Sequence, residues 1–153
     1  MSHHWSDLPS AVLSMLRRGT VIPAHLLALT AERALDARRQ RALTRYYLDA
    51  GVGGLAVGVH GTQFAIREAD LYTPVLESAA QEAAGWVDRP VALVAGQSGR
   101  TAQAVAEART ARAIGYHAGM LSLAPMKGAS VDELIAHCAA VAAEMPLVGF
   151  YLQ

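Results

Sequence analysis

Short apolar runs alternate with longer helical stretches along the chain. Ser10 to Arg18 sets Val12, Leu13 and Leu16 on one side and stops at Gly19, which predicts a short amphipathic helix. Thr20 to Leu29 holds a candidate strand interrupted by Pro23. From Asp36, a predicted N-cap, to Ala50 the spacing is helical and Gly51 ends it. That register puts Leu35, Leu43, Tyr46 or Tyr47 and Ala50 inside, with Arg38, Arg39, Arg41, Arg45 and Asp49 in water. Gly54 to Val57 predicts a buried strand leading into a loop from Gly58 to Ile66. Thr73 before Pro74 predicts an N-cap and a helix to about Ala84. Val91 to Ala95 is the next strand, and Thr101 is expected to cap a helix to Ile114, closed by Gly115. A strand over Met120 to Leu123 leads to Ala124-Pro125-Met126-Lys127-Gly128. Ser130 and Glu133 form a capping box, with Leu134, Cys138 and Val141 following at helical spacing. A last apolar run covers Leu147 to Leu152.

Five strands alternating with four main helices, in units of roughly 30 residues, predict parallel strands joined by right-handed crossovers. The class is α/β. Either an open five-stranded sheet or an arc of a barrel satisfies the pattern. An eight-unit barrel takes about 250 residues, so 153 residues would supply strands 1–5. Residues 1–18 are then an N-terminal helical extension and 19–153 a (βα)4β portion.

Composition narrows the function. Thirteen basic and thirteen acidic residues cancel, which argues against nucleic-acid or acidic-membrane binding through bulk charge. Apolar residues make up 53% of the chain, enough for a core, and none of the runs is long enough to span a membrane. The polar start with His3 and His4 lacks a signal-peptide core, and a single cysteine suits a reducing compartment, so a cytoplasmic setting is expected. Twelve of the thirteen basic residues are arginine, consistent with codon bias, and Lys127 is the only lysine. Amine chemistry within this chain therefore has one candidate.

Function in either architecture belongs at the C-terminal ends of the strands. There Gly58-Val59-His60-Gly61-Thr62 offers closely approachable backbone amides and a helix start, which suit a carboxylate or phosphate. A turn needed only for strand-to-helix geometry fits the same residues. Gly96-Gln97-Ser98-Gly99 repeats the theme, and neither loop has a Walker or dinucleotide fingerprint. Phosphate binding at the two loops stays open. His25, His117 and His137 share no ligand spacing, so no metal and no cofactor is expected. Cys138 on the inward stripe reads as a small core residue, and Tyr151 in an apolar strand as core.

The run Tyr46 to Leu55 followed by Gly58-x-x-Gly61 resembles the dihydrodipicolinate synthase and N-acetylneuraminate lyase family. So do Arg89-Pro90-Val91-Ala92-Leu93-Val94-Ala95-Gly96, Thr101 with its helix to Gly115, Leu123-Ala124-Pro125, the helix with His137, and Phe150-Tyr151. The likeness runs from Gly19 to Gln153 in order. It implies a (β/α)8 barrel, usually oligomeric, that condenses or cleaves 2-oxo acids such as pyruvate through a lysine Schiff base. It further implies that Gly58, Val59, His60, Gly61 and Thr62 hold the substrate carboxylate and that Tyr151 relays protons. Lys127 follows the fourth strand, where a functional side chain can sit and a tyrosine pair is common in the family, and is a candidate substrate-binding residue, with a plain exposed loop lysine as the alternative.

Departures accompany the likeness. Val59 and His60 replace the usual hydroxyl residues, Thr62 the frequent acid, Met126 and Lys127 the tyrosine pair, and Leu152-Gln153 follows Tyr151. The family's Schiff-base lysine belongs to a sixth strand and is expected beyond Gln153, so the isolated chain is expected not to turn over 2-oxo acids. A homo-oligomer or a separate C-terminal half is the expected partner. A non-catalytic α/β binding module is the competing expectation.

Overall fold

The computed structural model describes residues 3–149. Three parallel strands lie in sequence order: β1 (Gly54–Val57), β2 (Ala92–Gln97) and β3 (Ala118–Leu121). Leu55 pairs with Leu93, and Val94 with Ala118. The helices are α1 (Ser10–Arg18), α2 (Ala37–Asp49), α3 (Tyr72–Trp86), α4 (Thr101–Ile114) and α5 (Val131–Ala142). Strands buried over every residue, joined through helices, are what the apolar runs demand.

The two outer expected strands contract to single bridges. Beside β1, Ala24 pairs with Ala56 in parallel, and Pro23, lacking an N–H, contributes only its carbonyl, to Ala56. Beyond Ala24 the chain turns into a small hairpin, where Leu29 bridges Leu35, rather than continuing as strand to Leu29. On the far side Gly119 bridges Leu147, with Gly119 N–H donating to Pro146 and Val148 N–H to Gly119. The remainder of the expected last strand, including Phe150 and Tyr151, lies outside the described residues.

The alternation of strand side chains makes two unlike faces. Leu55, Val57, Leu93 and Ala95 join the main core, where Val75, Leu76 and Ala79 of α3 and Ala104, Ala108 and Ala111 of α4 are all buried. Ala56, Val94 and Val59 look the other way, packing with Ile22, Ala24 and Met120. Helix α1 buries Val12 and borders a cleft with Val91 and His117, at the strands' N-terminal ends.

Helix limits follow local chemistry, with corrections. Asp36 caps α2 by accepting from Arg39 N–H, Gly115 closes α4 in the left-handed conformation, and Ser130 and Glu133 cap α5 reciprocally. Thr73 is not an N-cap: α3 begins at Tyr72 after Leu71, and Pro74 is accepted because first-turn N–H groups have no helical partner. Thr101 is the first residue of α4 after Arg100, and its hydroxyl meets His137 Nδ1 at 2.9 Å instead of capping.

The buried face of α2 is Gln40, Thr44 and Leu48, not the Leu43 and Ala50 register. Ala50 and Tyr46 are exposed, while Leu43 and Tyr47 are half-buried. The polar pair is tolerated because buried His25 satisfies it: His25 Nε2 lies 2.8 Å from Thr44 Oγ1, and Gln40 donates to the Leu26 carbonyl. Cys138 is half-buried beside exposed Val131 and Ile135 in an apolar surface groove, because the stripe pointing to the core is His137 and Val141.

Candidate functional site

The turn after β1 starts at Gly58, whose φ of +77° suits glycine. A short 3-10 turn, His60–Thr62, follows, then another, Phe64–Arg67. Thr62 is completely buried, and its hydroxyl ties the turn at both sides. It accepts from Gly58 N–H at 2.9 Å and donates to the His25 carbonyl at 2.6 Å. Gly58, Val59 and Thr62 are buried in the turn, while His60 is exposed and Gly61 half-exposed. A Cβ at position 61 would crowd Ala24 Cβ at 3.0 Å.

The end of β2 meets this turn. A side chain at Gly96 would overlap the Gly58 peptide. Val59, His60 and Phe64 line a cavity of about 20 Å³ with Met120 and Ser122 at the end of β3. His60 is thus brought to the strand ends on the concave face. Lys127 is exposed and follows the 3-10 turn Ala124–Met126, donating its N–H to Ala124. It is not among the residues lining that cavity. Tyr151 lies outside the described residues.

A buried network behind the turn escapes sequence reading. Arg67 forms a two-pronged ion pair with Glu107, Nε to Oε1 and Nη2 to Oε2, both at 2.8 Å. Its remaining donors reach the carbonyls of Gly58 at 3.2 Å and Gly96 at 3.0 Å. Tyr72 donates to the same Gly96 carbonyl at 2.8 Å, and its ring lies 4.7 Å from the guanidinium. Burial, aided by the Glu107 charge, pushes the Tyr72 phenol far above its ordinary range, so it stays a donor. Glu107 also accepts from Ser98 N–H and the Gln103 amide. Forty residues separate the ion pair, so no local motif announces it; the one signal is a glutamate on the inward stripe of an alanine-rich helix.

The other histidines have structural posts. His117 Nδ1 accepts the Leu93 N–H at 3.0 Å, and burial lowers its basicity, as an acceptor ring requires. Burial likewise lowers His25, outweighing its bond to the Leu26 carbonyl. Among the described residues no three His, Cys, Asp or Glu gather as a metal site. No described helix is long and apolar enough to cross a membrane.

Parallel strands with helices against one face, a smaller apolar cluster on the other and a glycine turn at the C-terminal strand ends fit an arc of an α/β barrel. The chain belongs to the dihydrodipicolinate synthetase family, whose model matches residues 17–149. No curated protein matches the sequence. Among solved structures, N-acetylneuraminate lyase from Mycoplasma synoviae is similar at a TM-score of 0.74 and 19% identity, over 87% of this chain and 46% of that one. N-acetylneuraminate lyase from Fusobacterium nucleatum gives 0.74 and 18%, over 84% and 44%. A dihydrodipicolinate synthase from Bacillus anthracis gives 0.71 and 20%, over 84% and 43%. The chain therefore spans less than half the length of these structures, and the likeness is one of fold.

Proposed function

We propose that the chain supplies the carboxylate-binding part of a lyase or aldolase-type barrel acting on a pyruvate-type 2-oxo acid through a lysine Schiff base. The imine-forming lysine is expected beyond Gln153 rather than at Lys127, which is exposed and does not line the His60 cavity. The observation that carries this reading is the turn itself. Thr62 and the Gly96 approach hold Gly58 to Gly61 at the end of β1, with His60 at the concave face. Backbone N–H groups fixed in this way are ready to donate to a carboxylate, because little ordering remains to be done on binding. Tyr151 is assigned the proton relay on the family resemblance. The reading includes a partner, a second copy or a C-terminal half, supported by the exposed apolar Val131 and Ile135 on α5.

The test is titration of the 153-residue chain with pyruvate, followed by amide NMR, together with borohydride trapping and mass spectrometry. Expected are shifts centred on His60 and Gly61 with no covalent adduct. A trapped adduct on Lys127, or shifts that avoid the turn, would overturn the proposal.

A further inference from the structure

We propose that Arg67 and Glu107 are positioning residues that set the geometry of the Gly58–Gly61 turn, rather than an ion pair kept for stability. The inference rests on the carboxylate-binding reading of that turn. Both side chains are nearly buried, at 11% and 9% exposure, in a place where two charges are costly to desolvate. A buried pair is seldom better for stability than apolar side chains of the same volume, so its placement calls for another explanation.

The placement gives one. Gly58 follows the last residue of β1 and Gly96 is the penultimate residue of β2, and Arg67 donates to both of their carbonyls. Both carbonyls are thereby bound by one side chain. Glu107 fixes the guanidinium through two parallel bonds and at the same time holds Ser98 N–H, the first amide after β2. One planar fork therefore coordinates two strand ends and two loops. Phe64 and Tyr72 flank the guanidinium at 5.5 and 4.7 Å, leaving it little room to swing. Lysine cannot substitute, because a single ammonium lacks the fork that reaches Glu107 and both carbonyls together.

The test compares hydrogen exchange in the full chain and its variants, residue by residue, alongside urea unfolding and pyruvate titration. Arg67→Lys is expected to speed exchange about tenfold or more at Gly58, Thr62 and Ser98, whose N–H groups are hydrogen-bonded, leaving amides of α2 and α5 unchanged. Pyruvate affinity falls with it. Glu107→Gln keeps the side-chain shape and carries the comparison should Arg67→Lys not fold. The apolar pair Arg67→Met with Glu107→Leu is expected to keep or raise the urea midpoint while the turn exchanges fast. A slow turn in that double variant, or acceleration spread evenly over the helices, would overturn the proposal. Failure of the unaltered chain to respond to pyruvate would remove the carboxylate reading instead, and the exchange pattern would still decide the positioning role.

Discussion

Gly96 stands so close to Gly58 that the space for a Cβ on one is filled by the carbonyl of the other. Two strand ends, 38 positions apart in sequence by their numbers, are held in contact by the absence of a side chain. The candidate turn depends on that contact as much as on its own residues.

Gly96→Ala should therefore destabilise the chain by about 2 kcal/mol or more, since backbone rather than a flexible side chain blocks the added methyl. Gly85→Ala is the control. Gly85 lies in α3 with open space around its Cα, and the change should stabilise by about 0.5–1 kcal/mol. Urea unfolding of the two variants should move in opposite directions.

Thr62→Val keeps the shape of the side chain but strands the buried Gly58 N–H and the His25 carbonyl. A loss of about 1–3 kcal/mol is expected, with Thr62→Ser recovering most of it. Equal midpoints for Val and Ser would show that volume, not hydrogen bonding, matters at this position.

Stability should decline in acid below the ordinary imidazole value. Burial lowers His25 from 6.5 in the folded chain, so the unfolded chain takes up the proton first. Above pH 6.5 both states are neutral and this group adds no slope. Below it stability falls, by up to about 1.4 kcal/mol per pH unit, until the folded value is passed. His117 acts in the same direction. Urea midpoints between pH 7.5 and 5 should show the decline, and His25→Gln should flatten it.

Ser130→Ala should fray the first turn of α5, because Ser130 accepts from Glu133 N–H and Glu133 returns a bond to Ser130 N–H. Those bonds from Ser130 hold the Glu133 carboxyl below its usual range, so acid should loosen the same turn in the unaltered chain as Glu133 is protonated. Faster amide exchange confined to residues 131–134 is the expected signature; protection equal to wild type would argue that packing alone holds the turn.

Features written in adjacent residues were legible in the sequence. The Ser130–Glu133 box, the Asp36 cap, Gly115 and the apolar run of β1 each carry their own instruction, and each stands where expected. Features set by distant partners were not. Gln40 and Thr44 look like solvent residues until His25 is placed beside them. The bond of the Thr62 hydroxyl to the His25 carbonyl joins residues far apart in sequence and leaves no local mark. Arg67 and Glu107 meet only because the turn after β1 and helix α4 are brought together by neighbouring strands. Hydrophobic periodicity says which face of a helix is apolar, and it is silent on polar groups that fold inward to satisfy one another.

Exposed Lys127, just past the Ala124–Met126 turn, has a practical consequence. As the chain's single lysine, it offers one side-chain amine to acylating reagents, besides the α-amino group. A fluorophore attached there sits on the loop that leaves β3, and with Cys138 replaced by serine a second label at a cysteine introduced for His60 would turn the mouth of the fold into a molecular ruler.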